Sequence, residues 1–344
     1  LREARSGSTR RIVSDQHFRQ RGGRHVKVGV FGNEESWYVE DLQRAGGLLG
    51  VECRRLDFRE MSMQIETGRL RFFCGEENLL EFDAFIVRTM PPGSLEEVVT
   101  RMDLLERLRQ AGKIVVNSPR AVECAVDKSL TTAKLAEQGV PVPATWVGET
   151  SEAAMDAFAR LGGDVVVKPV FGAEGRGIVR VSDPDLAFRT FRTLERLNAV
   201  LYLQEFVPHL GYDVRVLVLD GTVLGAIRRE SMEDFRTNVA RNGKASACEI
   251  DDEQRELALR ACDIIETRIA GVDLLSDAAG RQYVIELNAV PGWRAFRKAT
   301  GIDVAARLLE SIRDGWLRAS QGSKCSLSSV TLTDEAVQAV RPHD

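Results

Sequence analysis

The dipeptide Asp220–Gly221 joins two strand-like runs, DVRVLVLD (213–220) and TVLGAIRRE (222–230), and constrains the fold more tightly than any other segment. An Asp-Gly pair between two such runs favours a tight two-residue turn whose twist matches antiparallel strands. Residues 213–230 are therefore expected to form a hairpin, with a polar loop, 231–246, after it. Downstream, 253–271 has the apolar spacing of an amphipathic helix, and GVDLLSD (271–277) and QYVIELNA (282–289) read as strands about an Ala-Ala-Gly turn. PGWRAFRKATG (291–301) and DVAARLLESI (303–312) complete this part.

The beginning of the chain follows a different pattern. HVKVGVFG (25–32) is a short buried strand opening onto a turn, and 51–58, 69–73, 83–90 and 113–119 are further strand candidates. A helix fits around Val39 and Leu42. Another fits 95–112, with apolar residues at helical spacing and Gly112 as its stop. Strands alternating with helices argue for a parallel, layered α/β domain over 25–117. Between these regions lie short helices (119–138), a strand VVVKP (165–169), a glycine-rich turn (171–177), a strand GIVRV (177–181), a helix (184–197) and a strand YLQEF (202–206). The fold class expected is α/β, with 118–207 and 208–318 as two further units. Residues 1–24 read as a flexible Arg-rich arm and 319–344 as a polar tail.

With 344 residues the chain is long enough for about two domains. Its net charge of -4 gives no general attraction to nucleic acid or an anionic membrane, and no apolar run is long enough to span a bilayer. The six cysteines are scattered without a C-x-x-C pair, so free thiols in a reducing, cytoplasmic setting are expected.

Candidate chemistry clusters on the last strands. Glu286 and Asn288 are two apart and project from one strand face, leaving Tyr283, Ile285 and Leu287 for a core. If the strand carrying Asp273 pairs antiparallel with theirs, three oxygen ligands converge, a set suited to Mg²⁺. Lys168 ends an apolar strand as a compact charge for phosphate, and Gly172, Gly175 and Gly177 allow close backbone approach to an anion. The glycines match neither a Walker A loop nor a dinucleotide fingerprint. Arg228, Arg229 and Arg236 supply guanidinium forks for phosphoryl or carboxylate oxygens. One of Arg228 and Arg229 faces a site and the other the surface, and the sequence leaves open which. Arg88 ends a strand, where an α/β sheet places ligand contacts.

The order of these motifs carries more than any one of them. It runs Asp127-Lys128, VVVKP with glycines, QEF, YDVR, RRE, FRTN, GVD and ELNAVPG. In that order the chain resembles the ATP-grasp superfamily, and within it the RimK-like α-L-glutamate ligases, over about 117–316. The resemblance implies an N-terminal companion domain followed by a two-subdomain ATP-grasp fold. It implies that Lys128 and Lys168 contact the phosphates of ATP, that Gln204, Glu205, Phe206 and Val207 form the adenine hinge, and that Asp213 contacts the ribose. The glycine loop would close as a lid. Asp273, Glu286 and Asn288 would hold Mg²⁺, as two ions with Glu286 bridging, and Mn²⁺ would substitute. Arg236 and Asn238 match the loop beside the γ-phosphate.

The implied reaction phosphorylates a carboxylate, then joins an amine to the acylphosphate. Pro291-Gly292-Trp293-Arg294 departs from the P-G-L-E of the ribosomal-protein-modifying branch, and 88–103 resembles the branch containing the tetrahydromethanopterin glutamate ligase. Arg88, Trp293 and Arg294 are thus expected to contact a small acid acceptor with aromatic or anionic character, and L-glutamate is the expected amino acid. Dimers or tetramers are the assemblies that the resemblance implies. A lysine-biosynthesis-type ligase, a protein C-terminal glutamylating enzyme and a non-catalytic nucleotide-binding regulator are the other readings.

Overall fold

The computed structural model describes residues 25–172, 176–230 and 244–326. The arm 1–24, the tail beyond 326, Gly175, Arg236 and Asn238 lie outside the described residues. The N-terminal unit contains β1 (Lys27–Phe31), α1 (Trp37–Leu49), β2 (Glu52–Leu56), β3 (Met61–Glu66), β4 (Arg69–Cys74), β5 (Glu77–Asn78), β6 (Ala84–Val87), α2 (Leu95–Gln110) and β7 (Ile114–Val116). Its main sheet has the order β2-β1-β6-β7 and every pair is parallel. All four β6 residues are buried, as expected of a parallel strand covered on both faces. Helix α2 starts with a capping box in which Ser94 and Glu97 satisfy each other's backbone N–H. Strands β3–β5 form a side sheet, of which only β4 was legible as a strand.

Two helices follow, α3 (Pro119–Val126) and α4 (Lys128–Glu137), and then β8 (Thr145–Gly148), α5 (Ser151–Arg160), β9 (Val165–Lys168), β10 (Val179–Val181), α6 (Pro184–Arg196) and β11 (Leu201–Glu205). The sheet β10-β9-β11-β8 is antiparallel, with β9 and β10 as the expected hairpin. Phe158 of α5 and Phe191 of α6 seal it against Val165, Val167 and Leu203. Helices α3 and α4 do not share this core. Cys124, Leu135 and Val140 pack instead under the next sheet, so the packing divides the segment 118–207 near Pro141.

The last unit comprises β12 (Tyr212–Leu219), β13 (Thr222–Glu230), β14 (Lys244–Cys248), α7 (Asp252–Ile264), β15 (Ile269–Ser276), β16 (Gln282–Asn288), α8 (Arg294–Thr300) and α9 (Val304–Ser326). Its sheet order is β14-β13-β12-β15-β16. Asp220 (φ 46°) and Gly221 (φ 69°) both take the left-handed conformation that the Asp-Gly turn requires. Helix α7 ends at Ile264, short of the expected 271, because Ile269 and Ala270 pair with Leu219 and Val218 and are buried there. Helix α9 continues past 312 to Ser326.

Strand β12 distributes its side chains by strict alternation. Val214, Val216 and Val218 face α7, α3 and α4. Leu217 and Leu219 face the other way, into a core shared with β1, β6, α8 and α9. Asp213 and Arg215 are in phase with that second face but lie at its uncovered end. One sheet face is therefore apolar under the N-terminal unit and charged beyond it.

Candidate active site

The charged end of that face is the floor of a cleft between the β10-β9-β11-β8 sheet and the five-stranded sheet. Across it, Asp273 pairs with Arg215 on one side and with Glu286 on the other. The register then slips, and Leu274 pairs with Val284. This β-bulge leaves Ile285 unpaired and brings it beside Glu286 in the cleft wall, while Val284 and Leu287 enter the core. The strict alternation expected for β16, with Tyr283 and Ile285 inward, is thereby corrected.

Asp273 is 1% exposed and doubly held. Arg215 donates to both its oxygens, at 2.6 and 2.7 Å, and Arg229 lies 2.8 Å from Oδ2. Arg229 also donates to both oxygens of Asp213, at 2.6 and 2.5 Å. Burial alone would lower the Arg229 pKa, but the Asp273 and Asp213 carboxylates hold it well above its usual range. Burial disfavours the Asp273 anion, yet Arg215 and Arg229 keep its pKa below the carboxylate norm. Of the two adjacent arginines, Arg229 faces the cleft. Arg228 turns outward, stacked 3.7 Å from the Tyr212 ring centroid and paired with Glu230.

Two lysines approach from the other side. Lys128, at the N-terminus of α4, donates to the Gly172 carbonyl at 2.7 Å and stands 3.7 Å from Glu286. Lys168 donates to Gln204 Oε1 at 2.6 Å. Burial pushes its pKa down to about 8, with the neighbouring Lys128 charge adding to the shift. Gln204, Glu205, Phe206, Val207 and Asp213 also line the cleft. The Glu205 carboxylate accepts from Ala144 N at 3.0 Å, which leaves the backbone of this segment, expected as the adenine hinge, to read a purine edge. Arg180 lies 3.4 Å from the Phe206 ring centroid and is forked onto Asp164. Val166 and Ile178 above, with Leu275 and Ile285 below, give the cleft a flat apolar slot that the sequence did not reveal. Gly172 is exposed and Gly177 adopts φ 75°.

The donor set at the mouth suits a hard divalent cation. Asp273 and Glu286 face each other, and Asn288 is opposite Gly271. Glu286 keeps a third of its side chain exposed, while Asn288 Oδ1 accepts from Val290 N at 2.9 Å. Among the described residues no group of three or more His, Cys, Asp or Glu could hold a metal, so a cation between Asp273 and Glu286 would need the asparagine amide as its third protein donor.

Trp293 is 0% exposed, and its Nε1 donates to Asp41 at 3.0 Å. It is a core residue between the N-terminal unit and α8, which corrects its expected role as a substrate contact. Arg88 is 7% exposed beside Tyr38 and Trp293, and Arg294 is exposed near Trp37. Nothing in the sequence pattern singles out Asn117. Its buried amide donates to the carbonyls of Ile269 and Ala289 and accepts from Arg268 N and Ile269 N.

Two antiparallel sheets closing on a cleft with lysines above and paired carboxylates below, preceded by a parallel α/β unit, define an ATP-grasp ligase. A family model described as the RimK-like ATP-grasp domain matches residues 125–312, and one described as the RimK PreATP-grasp domain matches 26–122. The chain belongs to the RimK-like ATP-grasp family. It is 32% identical over 321 residues to the tetrahydromethanopterin:alpha-L-glutamate ligase of Methanosarcina acetivorans, covering 84% of this chain and 99% of that one. It is 34% identical to the ribosomal protein bS6–L-glutamate ligase of Escherichia coli, covering 83% and 95%. The fold matches the solved ATP-grasp ligase PsnB complexed with minimal precursor, Mg and ADP, with a TM-score of 0.67, 24% identity and coverage of 84% and 97%. Among the described residues no helix is long and apolar enough to cross a membrane.

Proposed function

We propose that this ligase joins the amine of L-glutamate to a carboxylate of a small-molecule acid, through an acylphosphate and with release of ADP and phosphate. The observation that carries the reading is the opposition of Lys128 and Lys168 to Asp273 and Glu286 across one cleft. An anionic carboxylate and the nucleotide's phosphates repel each other, so the site has to neutralise both. Lys168 and Lys128 would meet the phosphates, Arg229 would hold Asp273 and Asp213 in place, and the 204–207 segment would take the purine edge through its backbone. The apolar slot suits a planar base. Arg236 and Asn238 are proposed to stand beside the γ-phosphate, as the family motif implies. Asp273, Glu286 and Asn288 would hold Mg²⁺, in one or two ions and replaceable by Mn²⁺, and the metal would supply charge neutralisation and in-line orientation of the transferred phosphoryl group.

A small acid is favoured because the match to the tetrahydromethanopterin-directed relative runs over 321 residues and 99% of that relative, against 291 residues and 95% of the ribosomal protein bS6-directed one, with identities of 32% and 34%. Trp293, fully buried, does not bear on that choice. Phosphate release with Mg-ATP, L-glutamate and a series of acceptors tests the proposal. Release is expected with reduced pterin or folate-type acids. Release only with peptides ending in glutamate would replace the small acid by a protein tail.

A further inference from the structure

The N-terminal sheet reverses its winding between β1 and β6: from β1 the chain moves to β2 on one side, then returns to β6 on the other. In open parallel sheets, ligands bind outside the strand carboxyl ends at such a switch point. The 13-residue helix α1 begins there, and its N-cap Ser36 makes no side-chain hydrogen bond. The first amides of that helix, at Trp37 and Tyr38, thus project from an uncapped, partly positive terminus.

Two arginines flank it. Arg88 follows β6 directly, lies 4.7 Å from the Tyr38 ring centroid and 4.2 Å from that of Trp293, and donates Nη2 to the Pro291 carbonyl at 2.8 Å. Its Nε is buried and has no acceptor. Arg294 lies 5.6 Å from the Trp37 ring centroid. Among the described residues neither arginine has an acidic partner within salt-bridge distance. A buried guanidinium without a counter-charge is costly, and a purely structural arginine would ordinarily be paired. The opposite wall is the loop that leaves Asn288, drawn close because Gly292 has no side chain: a Cβ there would stand 2.7 Å from the Tyr38 hydroxyl.

We propose that this crevice is the subsite for a carboxylate of the amino acid that supplies the amine, with Arg88 as its inner anchor, Arg294 at its rim and the α1 N-terminus completing it. The inference rests on the ligase reading above. The reacting acid belongs at the lysine end of the cleft. A carboxylate that the reaction does not consume needs its own counter-charge, and Arg88 and Arg294 provide one beside the α1 N-terminus.

The test is calorimetric titration of L-glutamate, glutamine and isoglutamine into protein loaded with Mg²⁺ and a non-hydrolysable ATP analogue. Wild-type protein is expected to bind L-glutamate and to lose affinity for at least one of the two amides. Arg88→Gln is expected to weaken L-glutamate at least about tenfold and Arg294→Gln about threefold, as loss of charge-assisted bonds implies. Glutamate binding equally to wild type and Arg88→Gln would overturn the subsite, as would absence of glutamate binding to loaded wild type. Failure of wild type to bind the analogue itself would instead refute the ligase reading.

A second measurement needs no variant. Hydrogen exchange in the loaded wild type is expected to slow at the amides of 37–38 and around Arg88 when L-glutamate is added. Unchanged exchange there would overturn the proposal.

Discussion

Arg215 and Asp273 stand directly opposite each other on neighbouring strands, and the guanidinium donates to both carboxylate oxygens. The aspartate is 1% exposed, and Arg229 reaches it from the next strand. Replacing Asp273 by Asn keeps the volume but leaves two buried guanidinium groups without this anion. Breaking such a buried pair costs about 3–5 kcal/mol. Asp273→Asn is therefore expected to lower the denaturant midpoint markedly, besides removing a proposed metal ligand. An unshifted unfolding curve would show that Asp213 alone satisfies Arg229.

Glu286 separates chemistry from stability. It is the carboxylate opposite Asp273, but a third of its side chain is exposed and its nearest cation is Lys128 at 3.7 Å. Glu286→Gln is expected to change stability by less than about 1 kcal/mol, as for other weak, half-exposed pairs. Loss of a ligand that neutralises transition-state charge is expected to reduce Mg-dependent ATP turnover by about 100-fold or more. Turnover at the wild-type rate would refute the metal assignment.

Lys168 gives a pH dependence with two signs. Its pKa falls from 10.5 to about 8 in the folded protein, chiefly through burial. Between those values the unfolded chain binds more protons than the folded one, so this residue makes nucleotide-free stability rise with pH in that window. Nucleotide affinity moves the other way: the neutral amine no longer meets a phosphate, and affinity falls by at most about tenfold per pH unit above about 8. Lys168→Arg, which stays charged, is expected to flatten the affinity profile. Titration of an ATP analogue from about pH 7 to 9 decides it, and an equal pH dependence in both proteins would exclude Lys168 as its source.

What the sequence revealed was set by periodicity and local turn chemistry. The Asp220–Gly221 hairpin, the parallel alternation before 117 and the same-face spacing of Glu286 and Asn288 are all local. The β16 bulge is not local: Ile285 lies in the cleft because Val284 and Leu287 both fill the core, and a period of two cannot announce that slip. Arg228 and Arg229 remained ambiguous until β12 supplied Asp213 opposite Arg229. The apolar slot draws its residues from three strands and the turn before β10, none distinctive alone.

Trp293 shows how nearness in sequence misleads. Five residues past Asn288 it reads as a substrate contact, yet the chain turns it into the core beside Phe296 and Val39. Trp293→Ala is expected to cost about 3–5 kcal/mol, the range for a buried aromatic truncation. Trp293→Phe is expected to cost less, losing mainly the bond from Nε1 to Asp41. Thermal unfolding of both variants checks the order. If Trp293→Ala kept its melting temperature and lost acceptor affinity, the residue would belong to the site after all.

Asn117 ties the N-terminal sheet to the catalytic one. It follows β7, is 1% exposed, and its one amide serves four backbone groups: the carbonyls of Ile269 and Ala289 and the N–H groups of Arg268 and Ile269. Ala289 is the residue after Asn288, so the bond helps fix the strand end that carries the proposed metal donors. No other side chain of this size presents two donors and two acceptors. Asn117→Ala would leave those buried backbone groups unpaired, at roughly 1–3 kcal/mol each before water enters, so a total of at least about 3 kcal/mol is expected. Asn117→Asp keeps the acceptors but turns the two donor bonds into contacts of an anion with carbonyl oxygens. It is expected to be no more stable than the alanine variant near neutral pH, and to recover stability as acidification protonates the buried acid. Denaturant unfolding of both variants at pH 5 and pH 8, run with Mg²⁺ titration of the folded fraction, tests the tie. Wild-type stability in Asn117→Ala would show that the two sheets are held together by the shared apolar core alone.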